Sequence, residues 1–175
     1  MRRLLSFLAV VALAAGPLAD YGVAPAGAAA SAMAEQGAPV EPLVIVVNRT
    51  NPVENIPFAE LRKIFLGNRS YWINGRRITL VMRDPGEPER RAILRDVCGM
   101  NEDQLKNHFI HGLYTGEILV SPKTLSTPTG VRRFIFNVPG AIGYLRSADV
   151  DSTVKVVRID GLLPDDKGYR LHMQF

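Results

Sequence analysis

The sequence predicts an α/β fold: a three-layer sandwich in which a small mixed, mainly parallel sheet lies between layers of helices. Three observations lead to it. Residues 43–47 form an unbroken aliphatic run, β-branched at four of five positions, as expected of a strand buried on both faces. Further short apolar runs alternate along the chain with segments of helical periodicity. Gly and Pro punctuate most of the junctions between them.

The elements follow in order. The chain opens Met1-Arg2-Arg3 and continues into an uncharged apolar run over residues 4–15, with A-x-A patterns at 26–28 and 28–30. This predicts a secretory signal peptide over residues 1–30, because the apolar run is shorter than the roughly 20 residues a spanning helix needs. No polar residue precedes the arginine pair, which favours the general secretory route over the twin-arginine route. Residues 31–42 read as a flexible leader and residues 43–175 as one domain, with no membrane span left after cleavage.

Within the domain, the strand at 43–47 leads into the polar loop Asn48-Arg49-Thr50-Asn51. A helix follows over 57–66, with Leu61, Ile64 and Phe65 on one face, Pro57 in its first turn and Gly67 at its end. A loop holding Tyr71 and Trp72 precedes a strand at 78–82. Helices are expected at 89–98 and, capped by Asn101, at 102–111; a short extended piece is expected at 118–120. Ser126 or Thr127 caps a helix to about Asn137, which Pro139-Gly140 closes. Strands at 141–145 and 154–159 and an extended edge at 169–175 complete the set.

Composition narrows the function. The formal net charge is +4, but the arginines are spread along the chain with no dense tract, which argues against a nucleic-acid partner. Cys98 is the single cysteine, so no internal disulfide can form and no lipid-anchoring cysteine stands near the cleavage site. His108 and His111 share a helix face without further ligands, so no metal and no cofactor is expected. No hydrolase elbow, phosphate-cradling loop or Cys–His pair occurs, so no catalytic residue is assigned and an enzyme is not expected.

Several segments in a fixed order resemble one family. Leu61-Arg62-Lys63-Ile64-Phe65-Leu66-Gly67, then Trp72 and Gly75, a strand ending in Arg83, Pro139-Gly140-Ala141-Ile142-Gly143-Tyr144, and a closing Val157-Arg158-Ile159-Asp160-Gly161 with Tyr169 are similar to the phosphate-specific periplasmic substrate-binding proteins of ABC transporters. The resemblance runs from about Val44 to Tyr169 and implies a short member of the type 2 periplasmic-binding-protein class. It covers mainly the second of the family's two lobes, with no counterpart to the Gly/Ser-rich phosphate loop of the first.

The resemblance also implies a site. Arg83 falls on the family arginine that grips phosphate beside a helix N-terminus, where free N–H groups and the helix dipole favour anions. By position rather than resemblance, Thr50 and Asn51 in the loop leaving the first strand are assisting candidates with Arg90, because ligands in such folds bind at the carboxyl ends of strands. Glu87, Pro88 and Glu89 stand where the family has Ser, Gly and Thr. Pro88 has no N–H to donate, and the two carboxylates repel an anion. Two functions stay open: an exported module that captures phosphate or another oxyanion weakly, or a ligand-free envelope module docking on an inner-membrane permease or a sensor ectodomain.

Overall fold

A computed structural model describes residues 40–174; the segment read as a signal peptide and residues 31–39 of the leader lie outside the described residues. Strand β1 (Val40–Asn48) is the aliphatic run, and it starts three residues earlier than the sequence reading placed it. Its side chains alternate between two cores. Leu43, Ile45 and Val47 pack on one face of the sheet, and Val44 and Val46 on the other.

The other elements are β2 (Asn55–Ile56), α1 (Phe58–Phe65), β3 (Thr79–Arg83), α2 (Pro88–Ile93), α3 (Glu102–Thr115), β4 (Lys123–Leu125), α4 (Pro128–Asn137), β5 (Ala141–Arg146), β6 (Val154–Val156), β7 (Arg158–Ile159) and β8 (His172–Gln174). The main sheet has the order β4-β3-β5-β1-β6, with β8 also pairing β1. β3, β4 and β5 run parallel to one another, and β1 is antiparallel to β5, β6 and β8. Five strands therefore share one direction and β1 alone is reversed, which gives the mixed, mainly parallel sheet expected.

Helices cover both faces. Leu61, Ile64 and Phe65 of α1, Ala92 and Ile93 of α2, and Leu105 and Phe109 of α3 fill one core. Val131 and Ile135 of α4 fill the other. Each start has its own chemistry. Asn101 caps α3 in a reciprocal capping box with Gln104, and Thr127 caps α4 through Gly130 N–H. Pro57 cannot cap α1 with its side chain, and Asp160 does so from a distance by accepting Phe58 N–H at 2.9 Å. Asp160 and Gly161 both take left-handed φ in the tight turn that follows β7.

Three expectations need correction. Residues 118–120 form no strand. Ile118 instead plugs against Gly112 of α3, where a Cβ would come within 2.5 Å of its side chain, and the edge strand is β4. That packing lets α3 continue to Thr115. The strand expected at 154–159 is broken at buried Val157, whose N–H still bonds Ile45 O; β7 then leaves the sheet to pair in parallel with β2. The helix expected at 89–98 is α-helical only to Ile93 and ends in a π-helical turn, Leu94–Cys98.

Trp72 is buried, and its Nε1 donates to Gly140 O at 3.0 Å. Of the two loop aromatics Trp72 is thus the one that packs, while neighbouring Tyr71 stays about half exposed. Gly140 is confined: a Cβ there would run into the Arg77 carbonyl oxygen, which is backbone and cannot yield. Gly140→Ala should cost about 2 kcal/mol through this overpacking. It should lower the melting temperature by roughly 5–10 °C in a circular-dichroism scan; an unchanged transition would mean that Gly140 and Arg77 do not approach this closely.

Candidate functional site

The candidate site lies where β3 ends and α2 begins. Arg83 is the last residue of β3 and its side chain is buried. Its backbone N–H donates to the Tyr144 hydroxyl on β5 at 2.9 Å. Its carbonyl accepts from Arg90 Nη1 at 2.8 Å. Burial pushes the Tyr144 hydroxyl well above its ordinary pKa, so it stays protonated here.

The guanidinium of Arg83 meets a carboxylate of its own chain. Arg83 Nη2 donates to Glu87 Oε2 at 3.0 Å. Arg83 Nε and Nη1 are buried and have no hydrogen-bond partner among the described residues. Arg90 is committed elsewhere: Nε and Nη2 hold Glu102 in a bidentate pair at 2.7 and 2.9 Å, tying α2 to α3. Glu89 is buried beside them; its Oε1 lies 3.3 Å from Arg146 Nε, and its Oε2 has no partner. Arg146 also holds Asp149 at 2.8 Å. Arg83, Arg90 and Arg146 thus each have a carboxylate, while exposed Arg91 donates to the Gly86 carbonyl.

α2 is a short helix with Pro88 in its first turn and Glu87 at its N-cap, without a side-chain cap bond. Its first turn therefore offers few free N–H groups, and Glu89 places negative charge there. An open groove of about 540 Å³ lies alongside, between α3 and β4. Arg90, Leu105, Phe109, Leu113 and Pro122 line it.

The structure brings Arg83 and Arg90 together and leaves Thr50 and Asn51 apart from them. Grouping all four assumed strands that end on the same side, but β1 is reversed. Val47 pairs Ile142, which pairs Leu80, so Thr50 and Asn51 follow β1 at the end of the sheet where β3 starts. Arg83 ends β3 at the other end. Thr50 bonds Asn48 Oδ1 through both its N–H and its hydroxyl, and Asn51 Oδ1 accepts Val53 N–H. Both residues shape the turn after β1. The carboxylates that finish the Arg83 site, Glu89 with Arg146 and Glu102 with Arg90, were not paired in the sequence reading. The Glu102 pairing spans two helices and leaves no periodic signal.

The remaining candidates are structural. His108 Nε2 lies 2.8 Å from Leu66 O. Among the described residues no group of three His, Cys, Asp or Glu side chains could hold a metal ion. Cys98 is buried, and burial pushes its thiol up to about 12.

The fold defines a class: a mixed, mainly parallel sheet between two layers of helices, with an arginine at the end of β3. No protein-family model matches the chain. Among solved structures it is similar to an ABC-type phosphate transport receptor from Vibrio cholerae, at 18% identity and a TM-score of 0.58, over 71% of this chain and 48% of that one. It is also similar to PstS from Borrelia burgdorferi, at 13% identity and a TM-score of 0.61, over 77% and 55%. A phosphate-binding protein from Stenotrophomonas maltophilia aligns at 17% identity and a TM-score of 0.52, over 74% and 42%. The chain spans about half the length of the structures it matches, and what it shares with them is the fold.

Two outcomes test the site. Tyr144→Phe leaves the buried Arg83 N–H without an acceptor and should cost about 1–2 kcal/mol in urea unfolding, with the m-value unchanged. Cys98 should stay unlabelled by a thiol reagent in the native protein at pH 8 and react once the protein is unfolded. The buried thiol stays protonated above the ordinary thiol range, so stability should fall as pH rises past the unfolded thiol's pKa, near 9. Rapid native labelling would show that the π-helical turn opens.

Proposed function

We propose that this chain is an exported module with the fold of a phosphate-binding receptor, that its anion position is occupied by its own Glu87, and that it acts by docking on another envelope protein, such as an inner-membrane permease or a sensor ectodomain. The observation that carries this reading is the 3.0 Å ion pair between Arg83 Nη2 and Glu87 Oε2. An incoming phosphate would have to displace Glu87 and would then meet buried Glu89, while Arg90 is spent on Glu102. The groove between α3 and β4, with Ile110 and Leu113 partly exposed, offers a docking partner an apolar surface. Export to the periplasm or the exterior is supported by the signal-peptide pattern of residues 1–30. No helix among the described residues is long and apolar enough to cross a membrane.

A second reading, weak capture of phosphate or another oxyanion, is favoured by one observation. Arg83 Nε and Nη1 are buried donors without partners, and an unmet buried donor costs about 1–3 kcal/mol. Here Glu87, more than a third exposed, swings out and an anion takes its place. Without a second lobe to close over the anion, little of the cost of immobilising it is recovered, and affinity stays low.

Calorimetric titration with inorganic phosphate separates the two. The docking reading expects no heat at millimolar phosphate for the wild type or for Arg83→Ala. Binding by the wild type that tightens in Glu87→Gln and vanishes in Arg83→Ala would establish the oxyanion reading instead. A pulldown from envelope extract completes the test, because Leu113→Asp should lose the docking partner that the wild type retains.

A further inference from the structure

We propose that the end of the sheet opposite Arg83 is a docking surface for an anionic phospholipid bilayer. The inference goes beyond the docking reading and stands on residues that reading does not use. The turn 72–75 is rooted rather than loose. Trp72 N–H bonds Arg76 O at 2.8 Å, Gly75 N–H bonds Trp72 O at 3.0 Å, and the Trp72 indole is fixed to Gly140. Gly75 supplies the positive φ that the turn needs. Ile73 is carried at the tip of this turn and is 85% exposed, with half-exposed Tyr71 beside it.

Cations surround the tip. Arg76 and Arg77 follow it directly and are exposed. Arg49 leaves β1 at the same end of the sheet, two strand spacings away, or roughly 10 Å. Asn48 Nδ2 ties the end of α4 to this end through Phe136 O at 2.7 Å, and Phe136 and Arg133 are exposed there. Among the described residues none of these four arginines has a carboxylate within ion-pair distance. Of the carboxylates nearby, Asp151 is held by Arg132 at 3.0 Å, Glu60 is held by Lys63 and Arg69, and exposed Glu54 stands in the loop after β1.

The charge and polarity match a lipid headgroup layer. Unpaired guanidiniums attract phosphodiester groups, an aliphatic tip reaches the acyl boundary, and a tyrosine sits between them. The exposed apolar side chains here are only Ile73, Tyr71 and Phe136, too few for the continuous core of a protein–protein interface. A nucleic acid would use the arginines but gains nothing from Ile73.

The test is vesicle co-sedimentation of the full chain. Wild type should bind vesicles containing phosphatidylglycerol, bind pure phosphatidylcholine weakly, and be released by salt. Each arginine at such a surface contributes about five-fold, so the triple variant Ile73→Ser, Arg76→Glu, Arg77→Glu should lose at least about twenty-fold, while Arg76→Lys with Arg77→Lys retains binding. Arg49→Glu alone should weaken binding several-fold, and it covers the case in which the triple variant melts early. Equal binding by wild type, the triple variant and Arg49→Glu would overturn the proposal by placing the contact elsewhere in the chain. So would equal affinity for both vesicle types, or the same variants losing a DNA duplex and not the vesicles. A failed phosphate titration bears on Arg83 and leaves this outcome untouched.

Discussion

β1 runs against the five strands around it and is buried along both faces. β5 takes one of its edges, and β6 and β8 divide the other, β8 pairing its start and β6 its end. Its alternating side chains feed two cores, so a slip of one residue would exchange their contents. The register of the whole sheet is therefore set by this strand. Its direction decides where function can lie. In an all-parallel sheet the loops leaving β1 and β3 would open on the same side and could share a ligand. Here they open on opposite ends, and the domain has two separate polar surfaces.

The Arg83 end is governed by charge compensation. A buried guanidinium without a counter-ion is costly, and breaking its pair leaves that cost exposed. Glu87 answers Arg83, Glu102 answers Arg90, and Arg146 serves both Glu89 and Asp149. The backbone joins the same set, since Arg90 also holds the Arg83 carbonyl and Tyr144 holds its N–H. One change therefore disturbs several partners. Two Arg83 donors and one Glu89 oxygen remain unmet, so the compensation is incomplete. That residue of unsatisfied polarity keeps an anion conceivable at a position otherwise closed.

Much of the fold was legible because it is local. The burial of β1, the stripe of α1, the Asn101 cap, a cap at Ser126 or Thr127 and the Pro139-Gly140 break all follow from nearest-neighbour chemistry. What failed depends on distant contacts. Ile118 reads as strand in isolation and is claimed by Gly112 of α3. Val157 looks continuous with its neighbours, yet the chain leaves the sheet there to meet β2. The same division holds at the site. The conflict between Arg83 and the carboxylates at 87 and 89 is visible in sequence. The separation of Thr50 and Asn51 from Arg83 is not, because strand direction is a property of the whole sheet. The arginines, scattered along the chain, are collected at one end only by folding.

That collection is not required by packing. Trp72 roots the turn through its buried ring, its bond to Gly140 and its backbone bonds with Arg76 and Gly75, and Gly75 supplies the positive φ. Neither core includes Arg76, Arg77 or Arg49, and among the described residues their guanidiniums make one hydrogen bond, from Arg49 Nη1 to Ser152 O at 2.9 Å. An aliphatic side chain at the most exposed point of a turn removes little surface from water, and the arginines beside it form no ion pairs among the described residues. At the opposite end the buried arginines, Arg83 and Arg90, are each partnered by a carboxylate, as folding demands of buried charge. Unpaired cations around an exposed apolar tip return their energy only when something anionic and partly apolar covers them, and the reversed strand keeps that surface clear of the closed Arg83 end.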